Sequence, residues 1–397
     1  MNIDLIGWDI GGAHLKAVAV AEDLVLAVSQ KPCPLWQGLH HFHAAAAETI
    51  EEISPDPGCR HAVTMTGELV DLFANRQEGV FSLLRAIQEH CAAGSILVFA
   101  GRLGFLKAAN VRPEHVPLIA SANWLATGIH AASRVPEALL IDIGSTTTDL
   151  LILKDGEIET RGYTDYERMR YDELIYTGIV RTPLVTLAER APFEGEWVGL
   201  MAEHFAATSD VYRLSGDLPE HADQMPTADG GDKTFLASAK RLARLLGRDL
   251  ESADPQDWIR LARFFRERQL DRIGRACERQ LSRGLLSRGA PFIGAGVGRF
   301  LVQELAVRLG HPYLDIVDLF PMHSSSHGFQ VADCAPAASV ARLAKQWLGS
   351  ANSPEVNLDE QRPDWLQVRE GVSTNSPGAN LNARRPDRAD AKDGVSK

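Results

Sequence analysis

Residues 139–153, LLIDIGSTTTDLLIL, are two apolar runs separated by an acid, a glycine and a string of hydroxyl residues. Each run reads as a buried strand, so a tight turn must join them. That turn holds a carboxylate, Asp142, and backbone left bare at Gly144. Residues 6–20, IGWDIGGAHLKAVAV, repeat the plan: Asp9, Gly11 and Lys16 stand 133 positions before Asp142, Gly144 and Asp149. A repeated strand–turn–strand predicts two α/β lobes of one design. We place them at 1–135 and 136–330, followed by a terminal helix, 331–349, that packs back on the lobes.

Around the two turns, strand and helix alternate as a covered, mostly parallel or mixed sheet requires. Residues 3–10, 16–21 and 24–29 read as short strands, and 40–53 as an alanine-rich helix. HAVTMT (61–66) and SILVFA (95–100) are strands. EGVFSLLRAIQEHC (78–91) and SANWLATGIHAASR (121–134) are helices, the second stopped by Pro136. In the second unit, Asp155-Gly156 signals a two-residue hairpin. Helical spacing then dominates 233–248 and 255–286, with Pro255 suited to a first turn. Residues 290–310 read as a strand, a glycine turn and a helix, and 337–349 as the last helix. From Ser350 the chain is polar and proline-containing, which predicts a disordered tail over 350–397.

The 397 residues suit more than one hydrophobic core, and the net charge of −11 argues against a nucleic-acid or anionic-membrane partner. Five widely spaced cysteines without a C-x-x-C pair point to a reducing compartment. No apolar run is long enough for a bilayer and no leader pattern opens the chain, so a cytoplasmic protein is expected. The sequence leaves open whether it forms a homo-oligomer.

In a strand ending D-x-G-G or D-x-G-S, glycine lets a ligand come close to the backbone, whose N–H groups can hold phosphate oxygens. The candidate phosphate-binding residues are Gly11, Gly12 and Lys16 in the first turn, and Gly144, Ser145, Thr146, Thr147 and Asp149 in the second. A carboxylate repels phosphate, so Asp9 and Asp142 are candidates to hold Mg²⁺ and, through it, a diphosphate. IGAGVGRFL (293–301) is a third glycine element, with Gly294, Gly296 and Gly298 as the far wall of the same cleft. YTGIVRTPL (176–184) adds Arg181, a bidentate donor for diphosphate or carboxylate, and Thr182. Arg299 is a weaker version of the same idea.

These motifs resemble the duplicated actin-like ATPase (ribonuclease H-like) fold shared by actin, sugar kinases and Hsp70, with two lobes around a central cleft. DIGSTTTD resembles the second phosphate loop of hydantoinase A and oxoprolinase proteins. With VTMTGELVDLF, SANWLAT and GIVRTPL, the chain is similar to a branch of that family associated with tetrahydromethanopterin-linked one-carbon metabolism. The resemblance covers residues 3–345. It implies a late step of methanofuran or methylofuran assembly, in which an aminomethyl-furanylmethyl diphosphate is joined to the phenol of γ-glutamyltyramine and diphosphate leaves. It implies small-molecule diphosphate and phenolic substrates, use of Mg²⁺ and no requirement for ATP.

For that chemistry Glu68 or Asp71, in TMTGELVD, is a candidate general base, and a helix-capping acid is the plain alternative. Trp124 and Trp197 are candidates to stack on a furan or phenol ring, with packing as their ordinary role. His40, His41 and His43 open a helix and read as solvated, and HSSSHG (323–328) reads as a surface loop. Competing functions for the same fold are an ATP-dependent kinase or hydantoinase-like ATPase, and a nucleotide-sensing regulatory protein without catalysis.

Overall fold

The computed structural model describes residues 2–92, 95–322 and 328–350. The segment 351–397, most of the expected tail, and residues 323–327 of HSSSHG lie outside the described residues.

The first lobe opens with an antiparallel meander of β1 (Leu5–Ile10), β2 (His14–Ala21) and β3 (Leu24–Pro32). Helix α1 (Leu39–Ile53) leads to β4 (Arg60–Met65), parallel to β1, and α2 (Arg76–Gln88) leads to β5 (Ile96–Phe99), parallel to β4. Strand β6 (Phe105–Lys107), α3 (Val116–Ile119) and α4 (Asn123–Ala132) complete the lobe. Its sheet order is β3-β2-β1-β4-β5-β6.

The second lobe repeats this with β7 (Glu137–Ile143), β8 (Thr148–Lys154) and β9 (Glu157–Glu159). The turn between β8 and β9 has positive φ at both Asp155 and Gly156, as a primed hairpin demands. After α5 (Asp165–Arg170), β10 (Leu174–Ile175) pairs with β8 at the sheet edge. An insertion follows, made of the hairpin β11 (Arg190–Phe193) and β12 (Glu196–Gly199), α6 (Thr208–Ser215), α7 (Phe235–Leu245) and α8 (Pro255–Leu281). Strand β13 (Phe292–Ala295), α9 (Arg299–Leu309) and β14 (Tyr313–Asp315) then extend the sheet parallel to β7, and α10 (Ala335–Ser350) closes the described chain. The order β9-β8-β7-β13-β14 matches β3-β2-β1-β4-β5 strand for strand.

The duplication extends to register. Asp9 pairs with Lys16 and Asp142 with Asp149. The turns close identically, the Gly11 N–H donating to His14 O at 3.0 Å and the Gly144 N–H to Thr147 O at 2.9 Å. Strand alternation sends Ile6, Trp8 and Ile10 to the core under α1 and α2, and Leu139, Ile141 and Ile143 to the core under α8 and α9. The same alternation turns Asp9 and Asp142 toward the inner faces, at the carboxyl ends of the central strands.

Between the sheets lies a helical layer. Helix α4, which ends the first lobe, packs on β8 and β9 of the second, while α10 packs on β1, β2 and β4 of the first. The inner core is therefore shared and rich in small residues, Ala337, Ala338 and Ala341 among them. Close approach is obligatory at Gly7, where an added Cβ would stand 2.0 Å from the Ala337 carbonyl oxygen and 2.8 Å from the Ala341 Cβ. Gly7→Ala is expected to destabilise the protein by about 3 kcal/mol, because backbone rather than a flexible side chain must yield. A urea midpoint equal to that of the wild type would contradict this packing.

Candidate functional site

The two turns face each other across a cleft of about 440 Å³. Gly11, Gly12 and Lys16 line it from the first lobe, with Gly144, Ser145, Thr146, Thr147, Asp149 and Arg181 opposite. The amides of Gly12, Ser145 and Thr146 donate to no acceptor among the described residues. Those of Gly11 and Gly144 are spent on closing their turns.

Each turn has a glycine buttress. Behind the first, a Cβ on Gly67 would lie 3.1 Å from Ile10 O and 3.2 Å from Gly11 O. Behind the second, a Cβ on Gly178 would lie 2.4 Å from Thr146 N, and the amides of Ile179, Val180 and Arg181 hold the Gly144 and Ser145 carbonyls. Thr182 belongs to this buttress and not to the cleft wall: it is buried, and its hydroxyl takes the Gly178 N–H at 2.8 Å. The segment 176–184 thus fixes the second turn and delivers Arg181 into the cleft.

Positive charge gathers at the base. The Arg181 guanidinium lies over the Trp36 ring at 4.7 Å and approaches the Thr146 hydroxyl at 3.5 Å, with no carboxylate partner among the described residues. The Lys16 ammonium makes no hydrogen bond or close ion pair among the described residues. Burial acts to pull it down, but Cys334, Asp9, Asp142 and Asp333 overcome this and hold it above its ordinary value. His14, whose Nε2 is buried and unpartnered, is pushed down to about 3 by burial, then by Lys16 and Arg181. It is a neutral imidazole in an electropositive corner.

Asp9 lines the cleft, and burial raises its pKa against the pull of Lys16 and of Asn123, whose Nδ2 lies 3.5 Å from Oδ1. Asp142 sits behind the wall, where a Cβ on Gly296 would stand 2.4 Å from its Oδ1. Burial, opposed by Lys16 and aided by Asp149 and Asp9, pushes it up to about 7. Asp149 is also raised by burial, although Arg168 binds it at 2.8 Å. No group of three His, Cys, Asp or Glu side chains that could hold a metal occurs among the described residues.

The late glycine loop stands apart. A Cβ on Gly294 would strike the Tyr313 ring at 2.7 Å, one on Gly296 the Ile143 carbonyl at 2.3 Å, and one on Gly298 the Ile143 side chain at 2.5 Å. These glycines admit neighbouring protein, and none lines the cleft. Arg299 is committed to Asp333 at 2.8 Å and Asp315 at 3.1 Å.

On the opposite side, Asp71 lines the cleft, whereas Glu68 is buried behind it, accepting a hydrogen bond from Ser121 Oγ at 2.9 Å. Trp124 reaches the cleft, but Arg168 covers its ring at 4.0 Å, leaving that face unavailable for stacking. Trp197 is exposed on the β11–β12 hairpin, edge-on to Phe264. The pairing of Arg168 with Asp149 and the positions of His14, Trp36, Ser121, Asp165 and Tyr176 were not read from the sequence. Only the proximity of His14 to the first turn was visible there.

A duplicated strand order with paired glycine turns facing one cleft defines a protein of the actin-like class. The chain is 10% identical to the nucleotide-free structure of an acetone carboxylase, with a TM-score of 0.51 over 78% of this chain and 68% of that one. It belongs to the hydantoinase/oxoprolinase family, whose model matches residues 60–338. It is similar to the (4-{4-[2-(γ-L-glutamylamino)ethyl]phenoxymethyl}furan-2-yl)methanamine synthase of Methanocaldococcus jannaschii, 26% identical over 88% of this chain and 99% of that protein. The Methanococcus vannielii protein of the same name is 32% identical over 31% of this chain and 55% of its own length. No helix among the described residues is long and apolar enough to cross a membrane.

Proposed function

We propose that this chain is the transferase of methanofuran-type cofactor assembly that joins an aminomethyl-furanylmethyl diphosphate to the phenol of γ-glutamyltyramine and releases diphosphate. The names of its relatives support the reading. The observation that carries it is the cleft base, where Lys16 and Arg181, both without a close carboxylate partner among the described residues, stand beside the open amides of Gly12, Ser145 and Thr146. This is a built anion site, and its cations and amides suit a diphosphate.

In the proposed reaction the phenol oxygen attacks the furfuryl CH₂, the bond from carbon to diphosphate oxygen breaks, and its electron pair leaves with diphosphate. Lys16, Arg181 and the amides hold the leaving group where its charge grows. Neutral His14 can donate an Nε2–H hydrogen bond or accept one, according to its tautomer. Of the two strand-end acids, Asp9 lines the cleft and would offer Mg²⁺ a hard carboxylate oxygen, while Asp142 lies behind the wall and would add only negative charge; diphosphate and water would complete the shell. When bound, the ion would neutralise the departing diphosphate. Trp36, Leu69 and Tyr176 supply apolar surface for the rings.

Purified protein with Mg²⁺ and both substrates, without ATP, is expected to release diphosphate only when both substrates are present. No release at any Mg²⁺ concentration, with ATP hydrolysed instead, would overturn the proposal in favour of an ATPase.

A further inference from the structure

Ser121 lies between α3 and α4, in the cleft wall across from the second turn, and has a left-handed backbone with φ of 53° although it carries a side chain. Such strain persists where surrounding structure imposes it, and it concentrates at working sites. Here it places Oγ between two carboxylates, 2.9 Å from Glu68 Oε1 and 3.1 Å from Asp165 Oδ2. A hydroxyl has one proton and can serve only one of them at a time. Asp165, from the second lobe, also lines the cleft and is held by Arg76 at 2.8 Å. Glu68 is 1% exposed, and its Oε2 is buried without a partner. Its backbone is fixed against α2, since a Cβ on Gly79 would stand 2.3 Å from the Glu68 carbonyl oxygen.

From this geometry we infer that Ser121 relays the acceptor's phenolic proton to Glu68, while Asp165, anchored by Arg76, orients the hydroxyl. The inference rests on the reaction proposed above. The phenol O–H breaks as its proton passes to Ser121 Oγ, and the former Ser121 proton forms the new O–H bond at Glu68 Oε1. The phenolate electron pair then forms the C–O bond, and diphosphate leaves. Asp165 accepts the hydrogen bond of the re-formed Ser121 hydroxyl.

The charged groups facing Glu68 are Arg76 from α2 and Asp165 from α5. Burial, helped by Asp165 and opposed by Ser121 and Arg76, pushes the Glu68 carboxyl up to about 7. It is therefore poised to exchange a proton near neutral pH. A group raised in the folded protein weakens stability as pH climbs from its unfolded value through its folded one. Glu68→Gln is consequently expected to resist heat better than the wild type above pH 7, so its loss of activity would not come from misfolding.

The test compares γ-glutamyltyramine with a ring-tetrafluorinated analogue whose phenol is already ionised at the assay pH. Ser121→Ala and Glu68→Gln are expected to lose about 100-fold in kcat/KM on the natural phenol and to recover to within a few-fold of the wild type on the fluorinated one. Equal losses on both acceptors, or no loss on the natural phenol, would overturn the relay while leaving the reaction standing. Wild-type protein that releases no diphosphate with either phenol would overturn the reaction and the relay together.

Discussion

Asp9→Asn is expected to lower diphosphate release by about 10³-fold, the size of effect seen when a group stabilising developing charge is lost. The side chain is 4% exposed and sits at the carboxyl end of β1, where strand alternation turns it into the cleft. Asn keeps its shape and can still meet Asn123, so the change removes charge without opening a cavity. Stability should hold, since burial already works against the charged form of the wild-type carboxyl, and Lys16 retains Asp142 and Asp333 as neighbours. Two measurements separate the effects. Thermal melts should stay within a few degrees of the wild type, while the rise in Tm caused by Mg²⁺ should shrink. Full activity in this variant would remove Asp9 from the site.

The same aspartate shows what one strand can disclose. Its strand, its turn and their copy 133 residues later are contiguous in sequence, so the duplicated architecture and the facing turns were legible from two short stretches. Register adds little beyond this, because a one-residue slip would have turned Asp9 into the outer core. The glycine motifs were harder to interpret. A missing Cβ signals close approach but does not say whether a ligand or the chain itself fills the space. At Gly12 and Ser145 the amides stay open, whereas at Gly294, Gly296 and Gly298 Tyr313 and Ile143 fill the space. Thr182 misleads for a similar reason, its hydroxyl being used to hold Gly178.

Other site residues carry no local signal. Arg168 lies in DYERMR, a segment that reads as an exposed charged helix, yet it is 1% exposed and spans Asp149 and Trp124. Glu68 was legible in TMTGELVD and meets Ser121 within the first lobe, whereas Asp165 reaches Ser121 only through the packing of the second lobe against the first. The β11–β12 hairpin was missed because its turn, Glu194-Gly195, is not one of the strong hairpin pairs, although both residues have positive φ.

Lys16→Met is expected to cut diphosphate release by about 10³-fold as well, with a second consequence that Asp9→Asn lacks. Met approximates the length and volume of the lysine stem, so packing on β2 is retained while the ammonium is lost. Lys16 now pulls down both Asp9 and Asp142, and without it their carboxyls rise further above the ordinary value. A carboxyl raised in the folded state takes up more protons than its unfolded counterpart, so stability falls as pH climbs through that interval. For Asp142 the interval in the wild type runs from 3.8 to about 7. In Lys16→Met it extends higher, so Tm should fall more steeply than in the wild type between mildly acidic and mildly alkaline pH. Mg²⁺ should restore part of that loss by supplying a positive charge to the same carboxylates. A Tm profile parallel to that of the wild type would show that Lys16 does not hold the acid cluster together. Unchanged turnover beside a steeper profile would confine Lys16 to that structural task and leave Arg181 and the turn amides to hold the diphosphate.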